Sequence, residues 1–138
     1  LIIKKIQSMK KIVLYSFLVL LIGAVAGLTA CKKNQLGGKS SIKGVVAHHG
    51  KAIANATVYI KFNTQDFPGS DVSAYDAHVS ADASGNYIFP EIYKGKYYLY
   101  AVGEDFAIPP PYQVVGGLPT KVRSKEDITL DIPVTEGD

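Results

Sequence analysis

Two hydrophobic rhythms divide the chain. Near its start, Ile12 to Ala30 runs without a charge, between the basic cluster Lys4, Lys5, Lys10 and Lys11 and the pair Lys32 and Lys33. From Ile42 onward no window shows a helical repeat, and apolar residues recur at every second position, the period of half-buried strands. In "TVYIKF", Val58, Ile60 and Phe62 share one face while Thr57, Tyr59 and Lys61 share the other. In "DITLDIPV", Ile128, Leu130, Ile132 and Val134 point inward, and Pro133, which has no amide to donate, places that run at a sheet edge or strand end. Further strands are predicted at Ser41 to Ala47, Tyr75 to Ser80, Asn86 to Phe89, Lys96 to Val102 and Tyr112 to Val115, separated by turn clusters such as "HHGK", "DASGN" and "YKGK". Seven short strands at this spacing predict an all-β domain, a seven-stranded antiparallel sandwich of two sheets. "NTQDFPGSD" and "EDFAIPPPY" are expected as longer loops.

The apolar run is long enough for a membrane helix, which needs roughly 17–25 such residues. Its grading points elsewhere: the most apolar part, Ile12 to Ile22, gives way to the small-residue stretch Gly23 to Gly27, the layout of a secretory signal. Leu28-Thr29-Ala30-Cys31 then resembles the lipobox of bacterial lipoproteins. That resemblance implies a diacylglyceryl group on the Cys31 thiol, cleavage after Ala30 and acylation of the new amino terminus. Residues 1–30 are accordingly expected as a cleaved signal peptide, with Met9 of "MKKIVL" as its natural start, and residues 31–41 as a polar, lipidated tether. Residues 42–138 form the expected domain. Cys31 is the single cysteine, so no disulfide closes within the chain. Two or three acyl chains, each buried methylene contributing about 0.8 kcal/mol, would make attachment to membrane lipid effectively permanent. The same resemblance places the anchor in the outer membrane facing the periplasm, because Lys32 rather than an aspartate follows the cysteine and the tether lacks an acidic run.

Charge changes meaning once the leader is set aside. The whole chain carries +3, but from Cys31 onward eleven basic residues face twelve acidic ones, and from Ile42 onward eight face twelve. This balance offers no basic stripe for nucleic acid.

The punctuation of the strands carries a second resemblance. "IKGVVAHHGKAIANATVYIKF" followed by "SADASGNYIFPEIYKGKYYLYAV" is similar to the carboxypeptidase regulatory-like, transthyretin-like domains. The matching positions are Gly44, the turn at Gly50-Lys51, Ala56 with Val58, then Asp82, Gly85, Tyr87 and Phe89, and finally Gly95, Tyr97 and Leu99. The resemblance implies a prealbumin-like, Ig-like sandwich and says little about chemistry. The same residues read physically as a hairpin with positive φ at Gly85, a turn held by the short Asp82 side chain, and core rings at Tyr87, Phe89, Tyr97 and Leu99. Transthyretin-like hydrolases rely on histidines, an arginine and a tyrosine-arginine-glycine-serine tail. Here Arg123 is the single arginine and the chain ends "PVTEGD", so that activity is not expected.

Candidate chemistry is sparse. His48, His49 and His78 are the three histidines. Neighbours on a strand point to opposite faces, so His48 and His49 share an ion only from a turn, and the sequence offers no local third donor. Solvated turn histidines are therefore expected, with no metal, cofactor or catalytic residue. "DASGN" reads as a hairpin turn rather than a calcium loop, since Ala83 stands where a donor is needed. Tyrosine is the stronger signal: eight of nine lie between Tyr59 and Tyr112. Tyr98 and Tyr100 are expected on the outer face of their strand, with Tyr59 and Tyr112 nearby, as a platform for a glycan or protein. The competing arrangement is cross-strand packing or cover by a loop. The expected function is that of a membrane-anchored, non-catalytic envelope module binding a protein or glycan; a hydrolytic or metal-dependent histidine site and a plain spacer are the alternatives.

Expressed in a bacterium that processes lipoproteins, the chain should lose residues 1–30 and gain the mass of its acyl chains, and Cys31→Ser should abolish both. Intact-mass spectrometry of membrane and soluble fractions checks this. An unmodified cysteine in the membrane-bound product would show a retained helix instead.

Overall fold

The computed structural model describes residues 2–11, 13, 15 and 36–137. The lipobox Leu28 to Cys31 and nearly all of the apolar run lie outside these residues. Residues 2–11 are helical and exposed, and no helix among the described residues is long and apolar enough to cross a membrane.

The remainder is an all-β sandwich. Its strands are β1 (Leu36–His48), β2 (Lys51–Ala52), β3 (Thr57–Phe62), β4 (Ala77–Ser80), β5 (Asn86–Ile92), β6 (Gly95–Glu104), β7 (Gln113–Val122), β8 (Asp127–Thr129), β9 (Ile132–Pro133) and β10 (Thr135–Glu136). One sheet is centred on β1, which pairs antiparallel with β2 and β5. Ile42 pairs with Phe89 and Ile128 at once, and Ala47 with Ala52 and Pro133, so β8 and β9 run along the opposite edge of β1. The second sheet has the order β10-β7-β6-β3-β4, antiparallel throughout. The alternation that predicted the strands fills the space between them. Ile42, Val46, Tyr87, Phe89 and Ile92 from one sheet meet Val58, Ile60, Tyr97, Leu99, Ala101, Val114 and Val122 from the other, all buried. Removing each large apolar side chain from water contributes about 1.5–3 kcal/mol, which suits a core without disulfides.

Ten strands replace the expected seven, and the sandwich is not purely antiparallel. The expected final strand is in fact two pieces, β8 and β9, both parallel to β1, and the chain changes sheets just after it, where the additional β10 pairs with β7. Lys51 and Ala52 add the short β2. A further difference concerns the tether. Leu36 to Ser41, expected to be flexible, belong to β1. Ser40 and Ser41 are buried because the C-terminal segment satisfies them: Ser40 Oγ donates to the Arg123 carbonyl (2.8 Å) and accepts from Glu126 N–H (3.1 Å), and Ser41 Oγ donates to Asp127 Oδ1 (2.6 Å). Polar composition suggested a linker; long-range hydrogen bonds make it a strand.

The segment leading to the change of sheet is held along β1 by a few contacts. Leu130 N–H donates to the Lys43 carbonyl (2.7 Å) and Val134 N–H to the Ala47 carbonyl (2.9 Å). Between them the ladder is interrupted, and Asp131 Oδ1 accepts from Val45 N–H (2.9 Å), replacing the missing backbone partner. The displaced Leu130 carbonyl passes over Gly44 and accepts a hydrogen bond from the Tyr87 hydroxyl. A Cβ at Gly44 would stand 2.0 Å from that oxygen. The turn after β4 is not the expected hairpin, because β4 pairs with β3 in one sheet and β5 with β1 in the other. Its local chemistry is as read from the sequence, with Asp82 Oδ1 accepting from Ser84 N–H (2.8 Å) and Asn86 N–H (2.9 Å) and Gly85 at φ 75°.

Gly44→Ala should therefore cost about 3 kcal/mol through forced displacement of Leu130 from β1, a fall in Tm of roughly 12–20 °C for a domain of this size. Thermal unfolding followed by circular dichroism checks it; an unchanged Tm would mean that Leu130 is not held over β1.

Candidate functional site

The outer face of the second sheet carries the aromatic residues. Tyr59 and Tyr100 are register partners on β3 and β6, and Tyr98 lies two residues before Tyr100 on the same face. The loop from Asn63 to Asp71 and the 3-10 helix Val72–Ala74 fold back over this face. Local hydrogen bonds shape that return. Asp71 Oδ1 accepts from Ser73 N–H (2.9 Å) and Ser73 Oγ (2.7 Å), which also holds its carboxyl below the usual range. Tyr75 Oη donates to the Gly69 carbonyl (2.9 Å), and Asp76 Oδ2 accepts from Phe62 N–H (2.7 Å). The loop thereby lays Tyr75 flat on Tyr100, ring centroids 5.6 Å apart at 17°, and places Phe67 at 5.6 Å from both Tyr98 and Tyr100. Tyr59 continues the patch, 5.9 Å from Tyr75 and 5.6 Å from His78.

Of the two arrangements the sequence left open for these tyrosines, cover by a loop holds for Tyr100 and an open platform holds only in part. Tyr100 is 5 % exposed, buried beneath the loop, and cannot touch a ligand directly. Tyr98 and Tyr59 are half-buried, and Tyr112 stands apart, packed on Phe106 at 5.1 Å. The exposed ring at the centre is Phe67, 55 % accessible, which period-two reading missed because it sits in a loop. Its signal was the Phe-Pro-Gly sequence within an otherwise polar segment. The hydroxyls are held in their neutral form: burial, then the neighbouring phenols of Tyr98 and Tyr100, pushes Tyr75 well up, and burial pushes Tyr98 and Tyr100 up as well. In the core, burial pushes Tyr97 up to about 12.

A second cluster closes one end of the sandwich. His48, the last residue of β1, is 2 % exposed and Asp105, just past β6, is 5 % exposed. His48 Nδ1 donates to Asp105 Oδ2 at 2.8 Å. The other oxygen of Asp105 accepts from Ala107 N–H (2.9 Å) and lies 3.5 Å from Lys51 Nζ, so the loop after β6 fixes the carboxylate. His49 and Gly50, at φ 48° and 78°, form the two-residue turn between β1 and β2. That left-handed pair breaks strand alternation and brings the His49 ring to 4.3 Å from His48. Glu136 of β10 reaches the same place, Oε2 at 3.4 Å from His48 Nε2. His78 is elsewhere, on β4 against Tyr59. The sequence named His48 and His49 but neither Asp105 nor Glu136, which arrive from 57 residues away and from the far side of the crossing. The hydrogen bond to Asp105 raises the His48 pKa against the opposing effect of burial, with Glu136 adding to the rise; the same bond draws Asp105 down to about 2. A separate groove of about 620 Å³ beside β5, bordered by Lys43, Asn86 and Asp131, meets neither cluster.

No family model matches the sequence, and no curated protein matches it. Among solved structures the chain is similar to a candidate carbohydrate binding protein from Pseudomonas aeruginosa, at 14 % identity and a TM-score of 0.53, covering 72 % of this chain and 91 % of that one. It is also similar to a DUF3823 family protein from Parabacteroides merdae, at 14 % identity and a TM-score of 0.45, over 72 % of this chain and 47 % of that one. The first likeness is one of fold: a bacterial β-sandwich.

The raised phenol values fix a pH dependence. An unfolded tyrosine ionises near 10, whereas Tyr75, Tyr87 and Tyr97 do so only above this when folded. Their contribution to stability is complete below pH 10 and is lost as pH rises through the folded values. Phenolate absorbance should therefore rise in two stages, the later one coinciding with unfolding seen by circular dichroism. A single early stage with the fold intact would mean that these hydroxyls are solvated.

Proposed function

We propose that this chain is a lipid-anchored protein of the bacterial envelope whose β-sandwich binds a glycan, without catalysis, through the aromatic face centred on Phe67 and Tyr98. The observation that carries the reading is Phe67: a large apolar ring, more than half exposed, seated on Tyr98 and Tyr100 and therefore fixed in orientation before any ligand arrives. A rigid aromatic surface with phenol hydroxyls at its rim suits the apolar face of a sugar ring and the hydroxyls around it. Preorganisation matters because ordering a mobile side chain at an interface costs about 0.5–1.5 kcal/mol. The solved Pseudomonas protein of similar fold, itself a candidate carbohydrate binder, is consistent with this reading. Anchoring rests on the leader and on Cys31, and an outer-membrane position facing the periplasm would set the aromatic face among envelope polysaccharides. An envelope protein is the other partner that such a face would accept.

Binding of the full chain, held in detergent, to an array of bacterial envelope glycans tests the proposal. At least one glycan should be retained, and Phe67→Ala should weaken it by about tenfold, equivalent to about 1.4 kcal/mol, while Tyr112→Ala leaves it unchanged. Retention indifferent to Phe67 would move the site elsewhere, and no retention across the array would end the glycan reading.

A further inference from the structure

The end of the sandwich holds a histidine atom that the fold leaves unsatisfied. His48 Nε2 is buried and has no hydrogen-bond partner. Glu136 Oε2 is 3.4 Å away, close enough for charge attraction but outside the geometry of a hydrogen bond. A buried imidazole nitrogen normally finds a partner, since leaving one without a hydrogen bond forfeits the hydration it gave up on burial. On the opposite side of the ring, Nδ1 donates to Asp105, and that carboxylate is in turn held by Ala107 N–H. A carboxylate on one imidazole nitrogen orients the ring and leaves the lone pair of the other free, the arrangement found behind metal-bound histidines.

Further donors gather around Nε2. One donor atom each from His48, His49 and Glu136 lies within 4.8 Å of the other two. In a tetrahedral zinc site with bonds near 2.1 Å, neighbouring ligand atoms are roughly 3.4 Å apart. The 3.4 Å between His48 Nε2 and Glu136 Oε2 is poor as a hydrogen bond and right as one edge of that tetrahedron. His49 and Glu136 are exposed, so their side chains have the freedom to shorten the remaining separations, whereas His48 is fixed.

We propose that His48 Nε2, His49 and Glu136 bind a borderline divalent transition-metal cation, Zn2+ foremost, with Asp105 as the positioning residue behind His48. Two imidazoles and one carboxylate favour Zn2+ over Ca2+ or Mg2+, which take oxygen ligands. Three protein ligands leave one tetrahedral position open to water or to a donor atom from another molecule. The inference does not depend on the glycan reading, because the two sites share no residue.

Calorimetric titration of the chelator-treated full chain with Zn2+ tests it, with Co2+ substituted to read coordination geometry from its visible absorption. One Zn2+ per chain is expected, with tetrahedral Co2+ bands. Glu136→Gln and His49→Ala, both surface changes, should each weaken binding at least ~10-fold, and Asp105→Asn should weaken it by about 10–100-fold while reducing the tetrahedral Co2+ signature. Circular dichroism of each variant separates loss of metal from loss of fold. The proposal is overturned if no saturable site appears, if Glu136→Gln binds as tightly as the parent, or if His78→Gln weakens binding as much as His49→Ala does.

Discussion

The fold depends on one crossing. A sandwich of two sheets leaves edges with unpaired backbone groups, and the last strand of this chain closes a pair of them by leaving one sheet and joining the other. On the approach to that crossing, the interruption at Leu130 and Asp131 between β8 and β9 would ordinarily expose a carbonyl and orphan an amide. The chain meets both needs with side chains: the Tyr87 hydroxyl takes the carbonyl, and the Asp131 carboxylate takes the Val45 amide. Gly44 supplies the room for the first, and Gly116 plays the same part across the sandwich, where a Cβ would stand 2.1 Å from the Pro133 carbonyl. Remove the room and the segment cannot sit down on either sheet.

Both candidate sites follow from how the sheets end. The crossing delivers β10 to the edge of β7 with Glu136 in register with the buried Val114, so its side chain turns toward the mouth of the sandwich, where β1 finishes at His48. Asp105 reaches the same mouth because β6 ends there and its loop must be held; one carboxylate oxygen organises that loop and the other meets the histidine. The aromatic face has a different origin. β3 and β6 lie side by side in the middle of their sheet, so their outward residues form a broad surface that the segment between β3 and β4 is long enough to cover in part.

Local chemistry was legible in the sequence; long-range partnership was not. The run Thr57–Phe62 is a strand with Val58 and Ile60 inward as alternation requires, and Asp82 and Gly85 build their tight turn from their own short-range preferences, though it joins the two sheets instead of closing a hairpin. Tyr98 and Tyr100 were correctly placed on the outer side of β6, yet periodicity assigns a face and cannot say what covers it, so Tyr100 came out buried. Ser40 and Ser41 look like linker residues because their partners Arg123, Glu126 and Asp127 are more than eighty positions away. Glu136 was invisible for the same reason, and Asp105 read as the start of a proline-bearing loop. With β1 beginning at Leu36, only residues 32–35 stand between it and Cys31. Under the proposed anchoring, five chain steps span at most roughly 18 Å, so the domain would be held close to the lipid surface rather than on a long leash.

Phe67 separates structural economy from function on the aromatic face. Tyr75 and Tyr100 need no ligand to explain them, since their stacking fastens the loop to the sheet and the Tyr75 hydroxyl ties back to Gly69. Phe67 keeps more than half its surface in water while resting on Tyr98 and on Tyr100, the second of which is already stacked by Tyr75. A polar residue at this position would leave the Tyr75–Tyr100 stack in place and remove an exposed apolar ring. A loop that only needed to close would have little use for the phenyl group. Its presence on an otherwise settled surface is what a preformed contact for a sugar face requires, and this is why the binding reading rests on Phe67 rather than on the tyrosines beneath it.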